Sequence, residues 1–141
     1  REYGFRVRDK QPVAEPFLTR LDYEASGGRE ILLSFEDEFE TLYGLIRLRI
    51  QPESVAEAEK SALVRELHVY GPETPISQRI ENAAQHRGYG KLLLKEAERI
   101  TKEEFKHDKL SILSGVGARA YYRSEGYELI NGYMVKNFTT G

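Results

Sequence analysis

A glycine-rich turn that leads directly into an apolar helical pattern constrains this chain more than any other feature. The turn reads Gln85-His86-Arg87-Gly88-Tyr89-Gly90, and the helical pattern continues through Lys91 and Leu92. Two glycines one residue apart let backbone N–H groups approach an anion closely, and the N-terminus of the following helix favours negative charge there. The pattern predicts a pyrophosphate-binding loop. A glycine-rich helix start that binds nothing is the alternative.

Length and composition limit what the chain can be. Its 141 residues are 40% hydrophobic and 31% charged, which is typical of one soluble domain with a single core. The sequence contains no cysteine, so a disulfide, a thiolate nucleophile and a cysteine-ligated metal are excluded within it. A formal charge of −2 argues against a strong polyanion-binding surface overall. The start at Arg1, inside a charged stretch, predicts a domain cut from a longer polypeptide.

Alternating apolar and polar residues predict a run of strands before the glycine-rich turn. Two strands flank the turn Ser26-Gly27-Gly28, and a third covers Thr41–Ile50 after a turn at Asp37-Glu38. A largely apolar segment, Ala62–Tyr70, predicts a buried central strand. The segment from 71 to 84 is long for a connection in a small domain, and such loops are usually functional or disordered. One function open to this segment is to gate a binding site.

The second half of the chain predicts helices alternating with strands. The first helix should run from Tyr89 to about Lys106, with an apolar face of Leu92, Leu93, Ala97, Ile100 and Phe105. The elements expected after it are a strand at Lys109–Ser114, a turn at Gly115–Gly117, a short helix at Ala118–Arg123, and strands Tyr127–Ile130 and Tyr133–Lys136 around Asn131-Gly132. The predicted order is β-β-β-β-α-β-α-β-β, an α/β domain.

The Gln-x-x-Gly-x-Gly turn and this order of elements resemble the GNAT-type N-acetyltransferases and their acetyl-CoA pyrophosphate loop. A closer resemblance is to the acetyltransferase domain of the catalytic subunit of Elongator. It rests on four ordered segments: Leu63–Gly71, Gln85–Gly90, Leu113–Gly117 and Tyr121–Arg123. The resemblance implies a GNAT fold with a mixed central sheet, a phosphate-binding helix after the central strand and a C-terminal β-hairpin.

The same resemblance implies a function in tRNA modification. Members of the family use acetyl-CoA to modify carbon-5 of the wobble uridine, and an N-terminal radical-SAM domain adds an iron–sulfur cluster and S-adenosylmethionine. Residues 1–17 would then continue from that domain, residues 18–138 would form the acetyl-CoA-binding domain, and residues 139–141 would be a tail. The implied partners are tRNA, the radical-SAM domain, and other Elongator subunits or a second copy, in the cytoplasm and without a membrane.

Individual residues acquire expected roles from this resemblance. Leu67 and Val69 would hold the acyl carbonyl through backbone N–H groups, and Tyr122 would protonate or solvate the departing thiolate. One of the neighbours Tyr121 and Tyr122 should face the site and the other the core; that both only pack is the alternative. The implied cofactor-binding residues are Glu66, Leu67, His68, Val69, Gln85, His86, Arg87, Gly88, Tyr89, Gly90, Lys91, Leu92 and Tyr122.

Glu66 and His68 each have two interpretations. A carboxylate in a partly apolar strand would have a raised pKa and could act as a general base, but Glu66 could equally pair with Arg65, Arg119 or Arg123, or contact another domain. His68 could shuttle a proton, whereas a hydrogen-bonded structural histidine is the commoner case.

Two further functions fit the same cofactor loop. A protein lysine N-acetyltransferase would use Glu66 to deprotonate the attacking amine, and a regulatory module would bind acetyl-CoA without turnover. Scattered arginines, among them Arg47, Arg49 and Arg65, are candidates for contacts with RNA phosphates, although a solvated surface is the default.

Overall fold

A computed structural model of the chain describes residues 14–51, 61–70 and 88–138. The strands are β1 (Phe17–Ala25), β2 (Gly28–Glu36), β3 (Leu42–Ile50), β4 (Ala62–Val69), β5 (Lys109–Ile112), β6 (Glu128–Ile130) and β7 (Tyr133–Asn137). Helix α1 (Tyr89–Arg99) continues into a π-helical segment (Ile100–Glu104), and a 3₁₀ turn (Val116–Ala118) precedes helix α2 (Arg119–Ser124). Within these three described ranges, the predicted order of strands and α-helices is therefore confirmed.

The strands form one mixed sheet of seven strands in the order β1-β2-β3-β4-β5-β7-β6. Strand β4 occupies the middle of the sheet, as its apolar sequence predicts. It pairs in parallel with β5, and β7 pairs antiparallel with both β5 and β6. The predicted fold class, a mixed central sheet with a helix after the central strand and a closing hairpin, is confirmed.

Both predicted tight turns have the backbone that their residues favour. Ser26 and Gly27 have φ of 51° and 78°, and Asn131 and Gly132 have φ of 49° and 86°. Positive φ at both central positions is the requirement of a two-residue type I′ hairpin turn, which glycine and asparagine meet at low cost.

The helix after the glycine-rich turn differs from its prediction in two ways. Its last turn widens: the Phe105 N–H donates to the Ile100 carbonyl at 3.1 Å, five residues back. Leu92, predicted on the apolar face, is 50% exposed, while Leu93 and Leu94 are buried. The prediction for Leu92 was wrong because the buried stripe passes through positions 89, 93, 97 and 100. Leu92 lies about 100° around the helix from Leu93 and therefore faces away from this stripe.

The contacts of the chain fall into two units. The first comprises Arg1–Leu21, Leu32–Ile46 and Leu67–Lys95, and the second Asp22–Ile31, Arg47–Glu66 and Glu96–Gly141. Buried apolar side chains in the first unit are Leu33, Tyr43, Ile46, Tyr89, Leu93 and Leu94. The second unit buries a larger set, including Leu48, Ile50, Val64, Ile100, Leu110, Ile112, Tyr122, Tyr127 and Met134. Among the described residues no helix has the length and apolarity needed to cross a membrane.

Candidate functional site

The start of α1 has the backbone expected of an anion-binding helix terminus. Gly88 has φ of +71°, in the left-handed region, and its carbonyl accepts the Leu92 N–H at 3.0 Å. The first turn of α1 contains no acidic side chain, and Lys91 is exposed there. The helix dipole therefore favours a bound anion at this terminus, and the first turn contains no carboxylate that would repel it. The predicted ligands Gln85, His86 and Arg87 lie outside the described residues, as does the segment 71–84 with its predicted gating function.

An aromatic cluster joins the start of α1 to the end of β4 within the first unit. The buried Tyr89 ring lies 5.0 Å from the Phe35 ring and 5.7 Å from the Tyr43 ring, the latter edge-on. Val69, the last residue of β4, packs against the same cluster. The Tyr89 side chain is thus a core anchor, and only its backbone is suited to the loop function that the sequence predicts.

A buried aspartate holds this cluster in place. Asp37 accepts N–H groups from Ala14, Phe39 and Thr41 at 2.8–2.9 Å and the Tyr43 hydroxyl at 3.0 Å. Burial by itself would raise the pKa of Asp37, but these hydrogen bonds outweigh burial and hold that pKa below its ordinary value. The sequence analysis identified a turn at Asp37 but no link to Tyr43, because that hydrogen bond depends on tertiary packing.

The end of β4 presents backbone beyond its pairing with β5. The parallel register joins Ala62, Leu63 and Val64 to residues 110–112, whereas β4 continues to Val69. On the β3 side, the Tyr70 N–H donates to the Tyr43 carbonyl at 2.9 Å. A methyl group added at Gly44 of β3 would lie 3.1 Å from the His68 carbonyl oxygen. Glycine at this position therefore permits a close approach of β3 to β4.

Glu66 lies beside a cation that the sequence analysis did not pair with it. Its Oε2 is 3.5 Å from the Arg47 Nη1, and the Glu66 side chain is 39% exposed. Arg65, one of the predicted partners, instead contacts the buried Glu30 carboxylate at 3.2 Å. Glu66 thus occupies a partly solvated position next to a guanidinium, rather than the apolar surroundings expected of a dry general base.

His68 is exposed on β4, and its ring stacks on that of Tyr70 with centroids 6.1 Å apart. Leu67 and Val69, the residues expected to act through backbone N–H groups, are half-buried. No metal-binding cluster of three or more His, Asp or Glu side chains occurs among the described residues.

Tyr122 is the buried member of the tyrosine pair on α2. It is 6% exposed and Tyr121 is 40% exposed, so the two rings face different directions, and which of them faces the site stays a prediction. The Tyr122 ring contacts the Tyr121 and Tyr127 rings edge-on, at 5.2 Å and 6.0 Å. Burial raises the pKa of Tyr122, which keeps its hydroxyl protonated at neutral pH. Its role at a cofactor stays a prediction.

A buried polar network next to Tyr122 was not predicted from the sequence. The Tyr127 hydroxyl donates to Glu98 Oε2 at 2.7 Å, and the Lys136 ammonium lies 3.3 Å from both Glu98 oxygens. Lys136 also donates to the Glu125 carbonyl at 3.0 Å. The network ties α1, the residues after α2, and β7 together within the second unit.

The chain is similar in sequence to proteins of known name. No protein-family model matches the chain. Over 97% of its length the chain is 57% identical to a tRNA uridine(34) acetyltransferase from Dehalococcoides mccartyi and 51% identical to Elongator complex protein 3 from Danio rerio, covering 31% and 26% of those proteins. It therefore spans about a third or less of the length of these curated relatives.

Two solved structures are similar to the chain. The archaeal Methanocaldococcus infernus Elp3 with an N-terminal deletion matches 97% of the chain at a TM-score of 0.81 and 43% identity, and the chain covers 34% of it. A GNAT-family acetyltransferase from Staphylococcus aureus matches 78% of the chain at a TM-score of 0.53 and 12% identity, with 69% of that protein covered.

The fold is that of the GNAT acetyltransferases. Within that class, the chain is homologous to one part of the proteins named tRNA uridine(34) acetyltransferase and Elongator complex protein 3. The resemblance to the acetyltransferase domain of the Elongator catalytic subunit is thereby confirmed.

Proposed function

We propose that this chain is the acetyl-CoA-binding acetyltransferase domain of an enzyme that modifies carbon-5 of the wobble uridine of tRNA. The observation that carries the proposal is the aromatic cluster around Tyr89, the first residue of α1, which packs against Val69 at the end of β4. The cluster thereby holds together the two elements that are proposed to contact acetyl-CoA. The relatives' names, which specify uridine 34 and acetyl transfer, indicate the substrate and the reaction class.

The residues present fit acetyl-CoA. The amides of Gly88 to Leu92, with Lys91 adding charge, would hold its diphosphate, and the left-handed Gly88 with an acid-free first turn supports this assignment. Backbone N–H groups of Leu67 to Val69 would hold the acyl carbonyl, because β4 extends beyond its register with β5. When bound, acetyl-CoA supplies an activated acetyl group as a thioester.

Tyr122 and Glu66 have different tasks in this proposal. The hydroxyl of Tyr122 stays protonated at neutral pH, because burial of the residue raises its pKa, and it can therefore donate a hydrogen bond or proton to a leaving group. Glu66, paired with Arg47 and partly exposed, is better suited to orient a polar group than to act as a desolvated base. His68 is exposed on β4, and a proton-shuttle role for it belongs to the same proposal.

The whole enzyme needs more than this domain. We propose that a radical-SAM domain with an iron–sulfur cluster and S-adenosylmethionine precedes residues 18–138, and that the reaction takes place on tRNA in the cytoplasm. The chain by itself should bind acetyl-CoA and slowly release free coenzyme A from it, without completing the modification of tRNA. Association with other Elongator subunits or with a second copy belongs to the same proposal.

Release of free thiol from acetyl-CoA tests the proposal. The chain is incubated with acetyl-CoA alone, with tRNA, or with a lysine-containing peptide, and thiol is followed with a chromogenic disulfide. Tyr122→Phe is compared with Tyr121→Phe, which removes the same atom from the exposed neighbour. Release stimulated by tRNA and lost only in Tyr122→Phe is the expected result.

Other results of the same assay would contradict the proposal. Stimulation by peptide with an acetylated product would identify a lysine acetyltransferase instead. Tight acetyl-CoA binding without release under any condition would favour a regulatory module.

A further inference from the structure

The second unit contains a cavity that none of the proposed acetyl-CoA contacts lines. Its volume is about 360 Å³, at the small end of the range for small-molecule pockets, about 300–1,000 Å³. It is lined by Gln51, Ser61, Leu63, Lys109, Ser111, Ile130, Asn131, Tyr133, Val135 and Asn137. The first residues of the parallel strands β4 and β5 contribute to it, whereas the proposed cofactor contacts use the last residues of β4.

The strand register explains how these side chains come together. Leu63 is opposite Ser111, and Ser111 is opposite Val135, so the three share one row on one face of the sheet. On the same face Lys109 is opposite Asn137, and Ile130 is opposite Tyr133. Apolar and polar side chains of one face of the sheet therefore line the cavity together.

The polar groups of the cavity define the ligand that it can accept. Three side-chain amides, those of Gln51, Asn131 and Asn137, each offer both donors and acceptors, and none bonds to another side chain in the described part of the chain. Lys109 is the charged residue among the described lining residues, and no carboxylate is among them. The cavity thus suits a ligand with one negative charge and a polar edge that both donates and accepts hydrogen bonds.

A nucleotide meets these requirements better than a peptide. Amide side chains pair with the edges of nucleobases, flat rings pack on apolar and aromatic surfaces, and an ammonium contacts a phosphate. Tyr133 and Ile130 are partly exposed at the cavity and offer such a surface. A cavity of this size accepts one base rather than a stacked helix, and RNA presents single bases in loops, where they are unstacked.

We propose that this cavity binds one unpaired nucleotide of the RNA substrate, with Asn131 and Asn137 on the base edge, Leu63 and Tyr133 on the ring, and Lys109 on the phosphate. The proposal rests on the proposed function, because it takes the substrate to be RNA. It assigns to that RNA a contact point built from residues other than those proposed to hold acetyl-CoA.

Fluorescence anisotropy with two labelled RNAs tests the proposal. One probe is an RNA hairpin with an unpaired loop, and the other is a fully paired RNA duplex with the same number of phosphates. The variants are Asn137→Ala and Lys109→Ala, and Lys102→Ala is the control because it removes the same charge from an exposed position outside the cavity. Circular dichroism melts establish that each variant is folded.

The expected result is a selective loss of hairpin affinity. Asn137→Ala should weaken hairpin binding about tenfold and leave duplex binding unchanged, since an amide that reads a base edge carries specificity. Lys109→Ala should weaken hairpin binding about fivefold and make it less dependent on salt, because one phosphate contact is lost. Lys102→Ala should stay within about twofold of the wild type.

Two results would overturn the proposal. The first is hairpin binding that responds to Asn137→Ala and Lys109→Ala no more than to Lys102→Ala. The second is photo-crosslinking of a loop 4-thiouridine only to peptides that contain none of the cavity residues, which are Gln51, residues 61–63, residues 109–111 and residues 130–137. Acetyl-CoA affinity, measured in parallel by calorimetry, should be unchanged in all three variants. Failure of the cavity proposal therefore leaves acetyl-CoA binding intact, whereas failure of the proposed function removes it in the wild type.

Discussion

Replacing Tyr127 with phenylalanine tests how the end of α1 is held against β7. The Tyr127 hydroxyl donates to the buried Glu98 carboxylate at 2.7 Å, and a hydrogen bond to a charged group contributes about 1.5–3 kcal/mol. Lys136 remains within 3.3 Å of Glu98 in the variant, so the carboxylate keeps a partner. We therefore expect a loss of about 2 kcal/mol of unfolding free energy, which for a domain of this length lowers Tm by about 7 °C.

The pH dependence of the same variant gives a second, independent readout. Burial, followed by the hydrogen bond to Glu98, raises the pKa of Tyr127 in the folded state. The unfolded chain loses this proton near pH 10 and the folded chain does not, so the wild type loses stability as pH rises above about 10. Tyr127→Phe lacks that titration, and its deficit should shrink by up to about 1.4 kcal/mol per pH unit above pH 10.

Urea unfolding followed by circular dichroism between pH 7 and 11 measures both effects. Tyr121→Phe is the matched control, because Tyr121 is 40% exposed and its hydroxyl should contribute less than about 0.5 kcal/mol at pH 7. Equal losses in the two variants at pH 7, or a Tyr127→Phe deficit that grows above pH 10, would refute the reasoning.

Three further predictions concern the first unit. Asp37→Asn should lower the free energy of unfolding at pH 7 by about 2 kcal/mol in urea melts. The pKa of Asp37 is lowered in the folded state, so the wild type loses stability as pH falls below 3.8. The variant should not show this loss. In Gly44→Ala, the added Cβ would lie 3.1 Å from the His68 carbonyl and 3.3 Å from the Leu93 side chain. We therefore expect this variant to lose more free energy of acetyl-CoA binding, measured by calorimetry, than free energy of unfolding. Unchanged affinity would contradict this. Gly88→Ala should lower the free energy of unfolding in urea melts by about 1 kcal/mol, because alanine is disfavoured at the left-handed backbone of this position. Gly88→Asn should lower it by less, and equal losses in the two variants would contradict this.

The features that the sequence predicted correctly are those that depend on local patterning. The hairpin turns at Ser26-Gly27 and Asn131-Gly132 follow from the φ preferences of their own residues. The central position of β4 follows from its apolar first residues, of which Ala62 and Val64 are buried, whereas Arg65 and His68 later in the strand are exposed. The start of α1 at Tyr89 follows from the glycine that precedes an apolar stripe.

The features that the sequence did not predict depend on contacts between distant residues. The bond from Tyr127 to Glu98 joins residues 29 apart, and neither residue type indicates the other. The pairing of Glu66 with Arg47 rather than Arg65 depends on the neighbouring strand β3. Glycine spacing predicted a loop role for Tyr89, but its buried ring against Tyr43 became visible only in the fold.

Backbone NMR of the chain during titration with acetyl-CoA tests the central claim most directly. Glycine amides are well separated in such spectra, so Gly88 and Gly90 report on the start of α1, and Leu67 and Val69 report on the end of β4. The account predicts saturable shifts that are largest at these four amides. No shifts at millimolar acetyl-CoA, or shifts confined to residues 109–111 and 130–137 around the cavity, would contradict it.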